Sequence, residues 1–296
     1  MTRPAFLLLT LVACVLGTAT AAACGCGFDL PLAAGATALA VLLHAMGNVL
    51  NDLHDARNGA DAANQAGLHP FTGGSRLIQT GATNESQTAE LAKALLLFVV
   101  PAGLLLAVKV GGGGVLLLGT AGIALAWAYS APPFRLMSRG LGELTVGLVW
   151  FLVVIGADYV QRRQLFPIPA AVALNFALLV AALLLANGFP DRAADALVNK
   201  QTLVVKLGPG GAAALYGAWV LLAHGWLALS VWLLVPPVQA LWGLLSLPIS
   251  LVAWGWLWRH RHQPARLRPA LALSVAAVLV HGLGMAWGFW QLAAGR

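Results

Sequence analysis

Asn48, Asn51, Asp52 and Asp55 stand together at the end of a long apolar run. Asn48 and Asp52 are four apart, as are Asn51 and Asp55, so on a helix their amide and carboxylate groups occupy overlapping neighbouring faces. Gly59 and Asp61 follow at once, and a second set, Asn187, Asp191 and Asp195, steps by four at the end of another apolar run. A carboxylate at the centre of a membrane helix costs roughly 2.5–3.5 kcal/mol on insertion scales, so two such clusters need a reason. Oxygen donors without cysteine or a well-placed histidine describe a hard-cation site. Mg²⁺ is the default, bound through a few carboxylates plus substrate phosphates. Asn and Asp also cap helices well. Two Asn-x-x-x-Asp sets in a chain with only ten acidic residues favour a shared cation instead.

Other groups suit the anion that would accompany such a cation. Gly73-Gly74-Ser75-Arg76 offers backbone N–H groups, a hydroxyl and a guanidinium, although a Gly-Gly loop alone is more often a turn. The segment Tyr129–Glu143 adds a phenol with Arg135 and Arg139, and Lys200 with Thr202 supplies a cation and a hydroxyl just past the second acid set. His44, His224 and His281 lie apart in apolar runs and are expected to bond within a helix bundle. His54 reads as a supporting neighbour of the first cluster.

These residues need a membrane scaffold. The 296 residues are 60% hydrophobic and 9% charged, with 33 glycines, and the mean hydropathy is +0.83. Soluble domains carry about 25% charged residues, and abundant small residues suit closely packed membrane helices. On the scale of about 20 apolar residues per span, nine spans are predicted at about 4–23, 31–54, 88–108, 112–130, 141–160, 168–188, 209–231, 237–258 and 268–292. The expected fold is all-α: one membrane domain over 1–296, a polytopic bundle of nine transmembrane helices around a central cavity. Pro190 cannot donate to the Ala186 carbonyl, so a bend is expected there.

A cytoplasmic N-terminus puts 13 of the 17 Lys and Arg residues inside and four (Lys109, Arg162, Arg163, Arg296) outside, which fits the positive-inside rule. Both acid clusters then face the cytoplasm and the C-terminus lies outside a cell inner membrane. The +7 charge sits in short loops that meet anionic lipid or diphosphate, so no nucleic-acid partner is expected, and no protein partner is predicted. Cys24-Gly25-Cys26 reads as small loop residues, with a lipoprotein-type signal ending before Cys24 as the alternative to an uncleaved first helix. Eleven tryptophans fit an interfacial aromatic belt. A faint repeat sets Asn48 and Asp52 139 residues before Asn187 and Asp191, as two related halves would.

Asn48-x-x-Asn51-Asp52-x-x-Asp55-x-x-x-Gly59-x-Asp61 resembles the first aspartate-rich motif of the UbiA superfamily of intramembrane prenyltransferases. Asn187-x-x-x-Asp191-x-x-x-Asp195, with Lys200-Gln201-Thr202-Leu203 and Lys206-Leu207-Gly208 after it, resembles the second. Gly73–Gln79 and Tyr159-Val160-Gln161 are most similar to the 1,4-dihydroxy-2-naphthoate polyprenyltransferase branch of menaquinone synthesis. The resemblance covers about residues 30–210 and implies a polyprenyl diphosphate donor, an aromatic acceptor and Mg²⁺. It implies that Asn48, Asp52, Asp55, Asn187, Asp191 and Asp195 hold the metal. Arg76, Arg135, Arg139 and Lys200 would meet diphosphate, with Asn51, Ser75 and Tyr129 also binding substrate and Asp61 deprotonating or orienting the acceptor. Met137 stands where relatives commonly have Lys, so Arg135 or Arg139 would have to compensate. The favoured acceptor is 1,4-dihydroxy-2-naphthoate. Alternatives are 4-hydroxybenzoate, homogentisate, a chlorin or haem ring, a glycerol-phosphate lipid or, in another class, a secondary transporter.

Overall fold

The apolar runs become helices because no other structure, short of a closed barrel, satisfies every backbone group inside lipid. The computed structural model describes residues 1–25 and 27–295. Its spans are α1 (Pro4–Ala23), α2 (Leu30–Asn58), α4 (Glu85–Val110), α5 (Gly114–Ser130), α6 (Gly142–Arg162), α7 (Pro167–Leu197), α8 (Leu203–Trp232) and α10 (Arg268–Ala294). The remaining span joins a 3-10 segment, Val238–Ser246, to α9 (Leu247–His260), and a single turn, α3 (Ala60–Ala63), follows α2. The nine expected spans are therefore present, α5 being the shortest at 17 residues.

Two features concern helix continuity. α7 runs through Pro190 with no break in the helix. Phe189 and Pro190 are buried, so packing on both sides holds the helix despite the missing donor. A break does occur at Gly208 (φ 68°, ψ 170°) in α8, immediately before Pro209, where the predicted span at about 209–231 begins. Only glycine adopts that backbone readily. The Cys-Gly-Cys reading is also corrected at Cys24, which is disulfide-bonded; Cys26 lies outside the described residues, and Cys14 is a buried free thiol.

The helices divide into a dense part and a thin one. α7 packs against α6, α8 and α10, while α1 fills the space between α6 and α10. One large apolar core runs through these helices and α9. By contrast α2, α4 and α5 bury few side chains. Leu97 and Val108 are 74% and 80% exposed, as lipid-facing residues should be, and the opposite faces of these helices line a cavity. The histidines join the bundle as expected: His44 Nδ1 bonds Thr10 Oγ1 at 2.8 Å, and Ser246 links His224 and His281.

Length sets where the acids fall. α2 and α7 have 29 and 31 residues, about 44 and 46 Å at 1.5 Å per residue. The hydrocarbon layer is about 30 Å thick, so each helix has turns to spare, and their C-terminal turns carry the acid motifs.

At the opposite end Asp158, 1% exposed, accepts from Thr20 Oγ1 of α1 at 2.8 Å and from Arg162 Nε at 3.0 Å. The Arg162 guanidinium also lies 4.1 Å from the Phe166 ring centroid. Arg162→Ala would strand a buried carboxylate and is expected to lower unfolding stability by about 3–5 kcal/mol. Thermal unfolding in detergent reads this out; an unchanged midpoint would show that Arg162 does not stabilise the buried carboxylate to which Thr20 of α1 donates.

Candidate active site

The C-terminal turns of α2 and α7 face each other across one lysine. Lys200 follows the end of α7, and its Nζ donates to both Asp55 oxygens at 3.1 Å and lies 3.4 Å from Asp195 Oδ1. Burial opposes a charged lysine, but Asp55 and then Asp195 outweigh it and hold the ammonium above its ordinary pKa. Asn51 Nδ2 donates to Asp55 Oδ2 at 3.0 Å and touches the Met137 sulfur at 3.2 Å. Asp191, one turn deeper on α7, accepts from Asn64 Nδ2 at 2.7 Å and from the Gly73 N–H at 3.3 Å.

Around this frame is a polar pocket lined by Asn51, Asp55, Asp61, Asn187, Asp191, Asp195 and Lys200. Gly74 (φ +67°) must be glycine, because an added Cβ would stand 2.6 Å from Asp61 Oδ1. Burial, then the Asp55 and Asp52 carboxylates, push the Asp61 pKa up to about 7. Two buried oxygens of the pocket, Asn187 Oδ1 and Thr202 Oγ1, have no hydrogen-bond partner. The pocket adjoins an apolar cavity of about 390 Å³. Arg3, Asn51, Phe71, Tyr129 and Asn187 line both spaces and form the rim between them.

A model of the UbiA prenyltransferase family matches residues 10–276. The chain belongs to that family. This UbiA chain is 31% identical over 294 residues to the 1,4-dihydroxy-2-naphthoate octaprenyltransferase of Escherichia coli (strain K12), covering 95% of this chain and 91% of that one. It is 30% identical to the protein of the same name from Mycobacterium tuberculosis (strain ATCC 25618 / H37Rv), covering 85% and 82%. A solved UbiA homolog from Archaeoglobus fulgidus bound to DMAPP and Mg²⁺ has the same fold, with a TM-score of 0.65 at 15% identity over 100% of both chains. The protein is a transferase, a UbiA prenyltransferase of the membrane.

The predicted site residues divide into two groups. Asn51, Asp55, Asp61, Tyr129, Asn187, Asp191, Asp195 and Lys200 line the polar pocket. Asn48 and Asp52 turn to the N-terminal segment: Asn48 Nδ2 donates to the Thr2 carbonyl at 3.0 Å, and Asp52 Oδ1 accepts from Arg3 Nη2 at 2.7 Å. Asn48 lines only the apolar cavity. Ser75, Arg76, Arg135 and Arg139 lie outside the polar pocket's lining. Arg76 and Arg135 have positive φ; Arg76 donates to the Asn64 carbonyl, and Arg139 donates to the Pro133 carbonyl at 2.8 Å.

Among the described residues, the cations lining the polar pocket are Arg3 and Lys200. In the sequence Arg3 counts toward the cytoplasmic charge and as the basic start of a signal-type segment, and Asn64 and Thr72 carry no helical spacing to mark them. Glu143 was quoted only within a motif, yet it too lines the pocket.

Because the folded pKa of Asp61 exceeds its unfolded value of about 4, the native state holds the extra proton between the two, and its stability falls as pH rises from about 4 to about 7. Asp61→Asn is therefore expected to raise the unfolding midpoint at pH 8 and leave it unchanged at pH 4. Equal effects at both pH values would contradict the raised pKa.

Proposed function

We propose that this UbiA prenyltransferase moves a polyprenyl group from polyprenyl diphosphate to an aromatic acceptor, 1,4-dihydroxy-2-naphthoate, with Mg²⁺. The observation that carries the reading is the pair of adjoining spaces: a head-group pocket of acids and one lysine opening through a shared rim into an apolar cavity. An amphiphile with an anionic head and a hydrocarbon tail matches both at once. The names of the bacterial relatives support the acceptor.

The donor atoms fit the metal. They are oxygens of Asp55, Asp191, Asp195 and Asn187, the last with an unpartnered buried oxygen, and hard cations prefer such ligands. Among the described residues no group of three or more His, Cys, Asp or Glu side chains is close enough to hold an ion by itself. An Mg²⁺ ion there would be held by these oxygens together with those of the substrate diphosphate. When bound, the ion supplies Lewis-acid stabilisation of the departing diphosphate.

The chain's own residues do the rest. Lys200 and Arg3 stabilise negative charge as the carbon–oxygen bond breaks and pyrophosphate leaves with the bonding electrons. The Thr202 hydroxyl donates to a phosphate oxygen. The apolar cavity keeps water from the allylic cation, and Tyr129 and Asn51 at the rim hold the reacting carbon at the junction. The acceptor ring forms the new carbon–carbon bond, and Asp61 orients the acceptor and takes a proton.

Asn48 and Asp52, paired with the N-terminal segment, hold the turn of α2 that presents Asn51 and Asp55 to the pocket. The charge count favours a cytoplasmic N-terminus and active site, with the whole chain acting as one domain of the inner membrane.

Asp191→Asn and Asp195→Asn are each expected to reduce prenyl transfer by about 100-fold or more, as loss of a transition-state charge partner does, without unfolding the bundle. Chelation with EDTA should abolish turnover and added Mg²⁺ restore it. Mass spectrometry of products from purified protein, labelled donor and an acceptor panel reads the result. Pyrophosphate release with no prenylated acceptor would overturn the reading.

A further inference from the structure

The apolar cavity has a far end, and that end is built rather than open. Ala36, Leu106, Val115 and Leu118 line the cavity and pack against a small apolar cluster of Val110, Tyr159 and Val160, of which Val160 also lines the cavity. Tyr159 is 7% exposed and sits behind this wall. Its hydroxyl accepts from the Gly114 N–H at 3.2 Å, and its ring lies so close that a Cβ on Gly114 would be 2.1 Å from Cζ. The connection between α4 and α5 therefore clamps the ring. Gln161, two residues on, exchanges hydrogen bonds with the backbone of Asp29 at 2.8 and 3.1 Å, fixing the start of α2 to the end of α6. Tyr159 and Gln161 thus stand at the far end from the acids.

We infer that this wall, positioned by Tyr159, is a depth stop that sets how many isoprene units of the donor tail the cavity houses. The inference rests on the prenyl-transfer reading of the same site. Along α2 the lining runs from Asn51 at the rim to Ala36 at the wall, 15 residues or about 22 Å. Along α6 it runs from Thr145 to Val160, again 15 residues. An extended isoprene unit places four carbon–carbon bonds of about 1.5 Å along the chain and advances about 5 Å. The cavity then holds about four units. Val100 and Leu104 of α4 and Leu116 of α5 line the cavity yet are 40%, 52% and 44% exposed, so units beyond the stop turn out between these helices into lipid.

Tyr159 is a positioning residue, acting through the wall rather than on the reacting atoms. The test is kcat/KM measured for donors of one to eight isoprene units. In the unaltered enzyme kcat/KM is expected to rise to about four units and level off, since further units only exchange one apolar environment for another. Tyr159→Ala removes the ring behind the wall and should move the break to longer donors by roughly one unit. Ala36→Phe fills the end of the space and should move it to shorter donors by roughly one unit. Ala36→Phe projects into a void and keeps the test decisive if Tyr159→Ala does not fold. A break at the same length in every variant that still turns over the two-unit donor would overturn the depth stop while leaving prenyl transfer intact. No turnover of any donor by the unaltered enzyme would overturn the functional reading and this inference with it.

Discussion

Two carboxylates on different helices repel each other in a low-dielectric setting unless a cation, or a proton on one of them, offsets the charge. Lys200 is that cation, 3.1 Å from Asp55 and 3.4 Å from Asp195. Opposite charges this close and this buried interact far more strongly than surface pairs, and the loss of either partner leaves an uncompensated charge. The pair thereby holds the last turn of α2 against the last turn of α7. Asp61, Asp191 and the Gly73-Gly74 loop then take their places around a fixed frame. A frame assembled by one lysine also has a charge arrangement that an anionic substrate and its metal can enter, with Asp55 and Asp195 as candidate ligands and Lys200 already aimed at the same space.

The uneven packing of the bundle serves the same end. The helices that carry the large core are rigid by close packing. α2, α4 and α5 spend their apolar faces on lipid on one side and on the cavity on the other. A cavity between a dense wall and a thin one can admit a long hydrocarbon sideways while the polar head remains at the membrane face. Close packing on every side would leave no such route.

Much of this was legible before any coordinates. Hydropathy placed the nine spans, and the second acid set was read with its face correct, because Asn187, Asp191 and Asp195 repeat every four residues and share one stripe. The first set was harder. Asn48 with Asp52 and Asn51 with Asp55 are two equally good i, i+4 pairs on adjoining stripes about 60° apart. Spacing cannot say which stripe faces α7. The fold turns Asn51 and Asp55 to the polar pocket and leaves Asn48 and Asp52 to the N-terminal segment. The loop arginines illustrate a second limit: Arg76 and Arg135 have left-handed backbones, and local dihedrals, not proximity in sequence, aim their side chains. Asn64 shows a third, since a residue in an irregular loop has no periodicity from which its contact with Asp191 could be read.

The central claim is that the ends of α2 and α7 bind one shared ligand, and a double-mutant cycle tests it most directly. Among the described residues Asp55 and Asp191 share no hydrogen-bond partner, and Lys200, which bonds Asp55, also acts electrostatically on Asp191, so the cycle without Mg²⁺ serves as the reference for coupling through the protein alone. The measurement is the Kd of a non-hydrolysable prenyl diphosphate with Mg²⁺ for the parent, Asp55→Asn, Asp191→Asn and the double variant. The account predicts that with Mg²⁺ the coupling exceeds this reference by about 0.5–3 kcal/mol, the range for residues within one network. Coupling no greater with Mg²⁺ than without it would contradict the account.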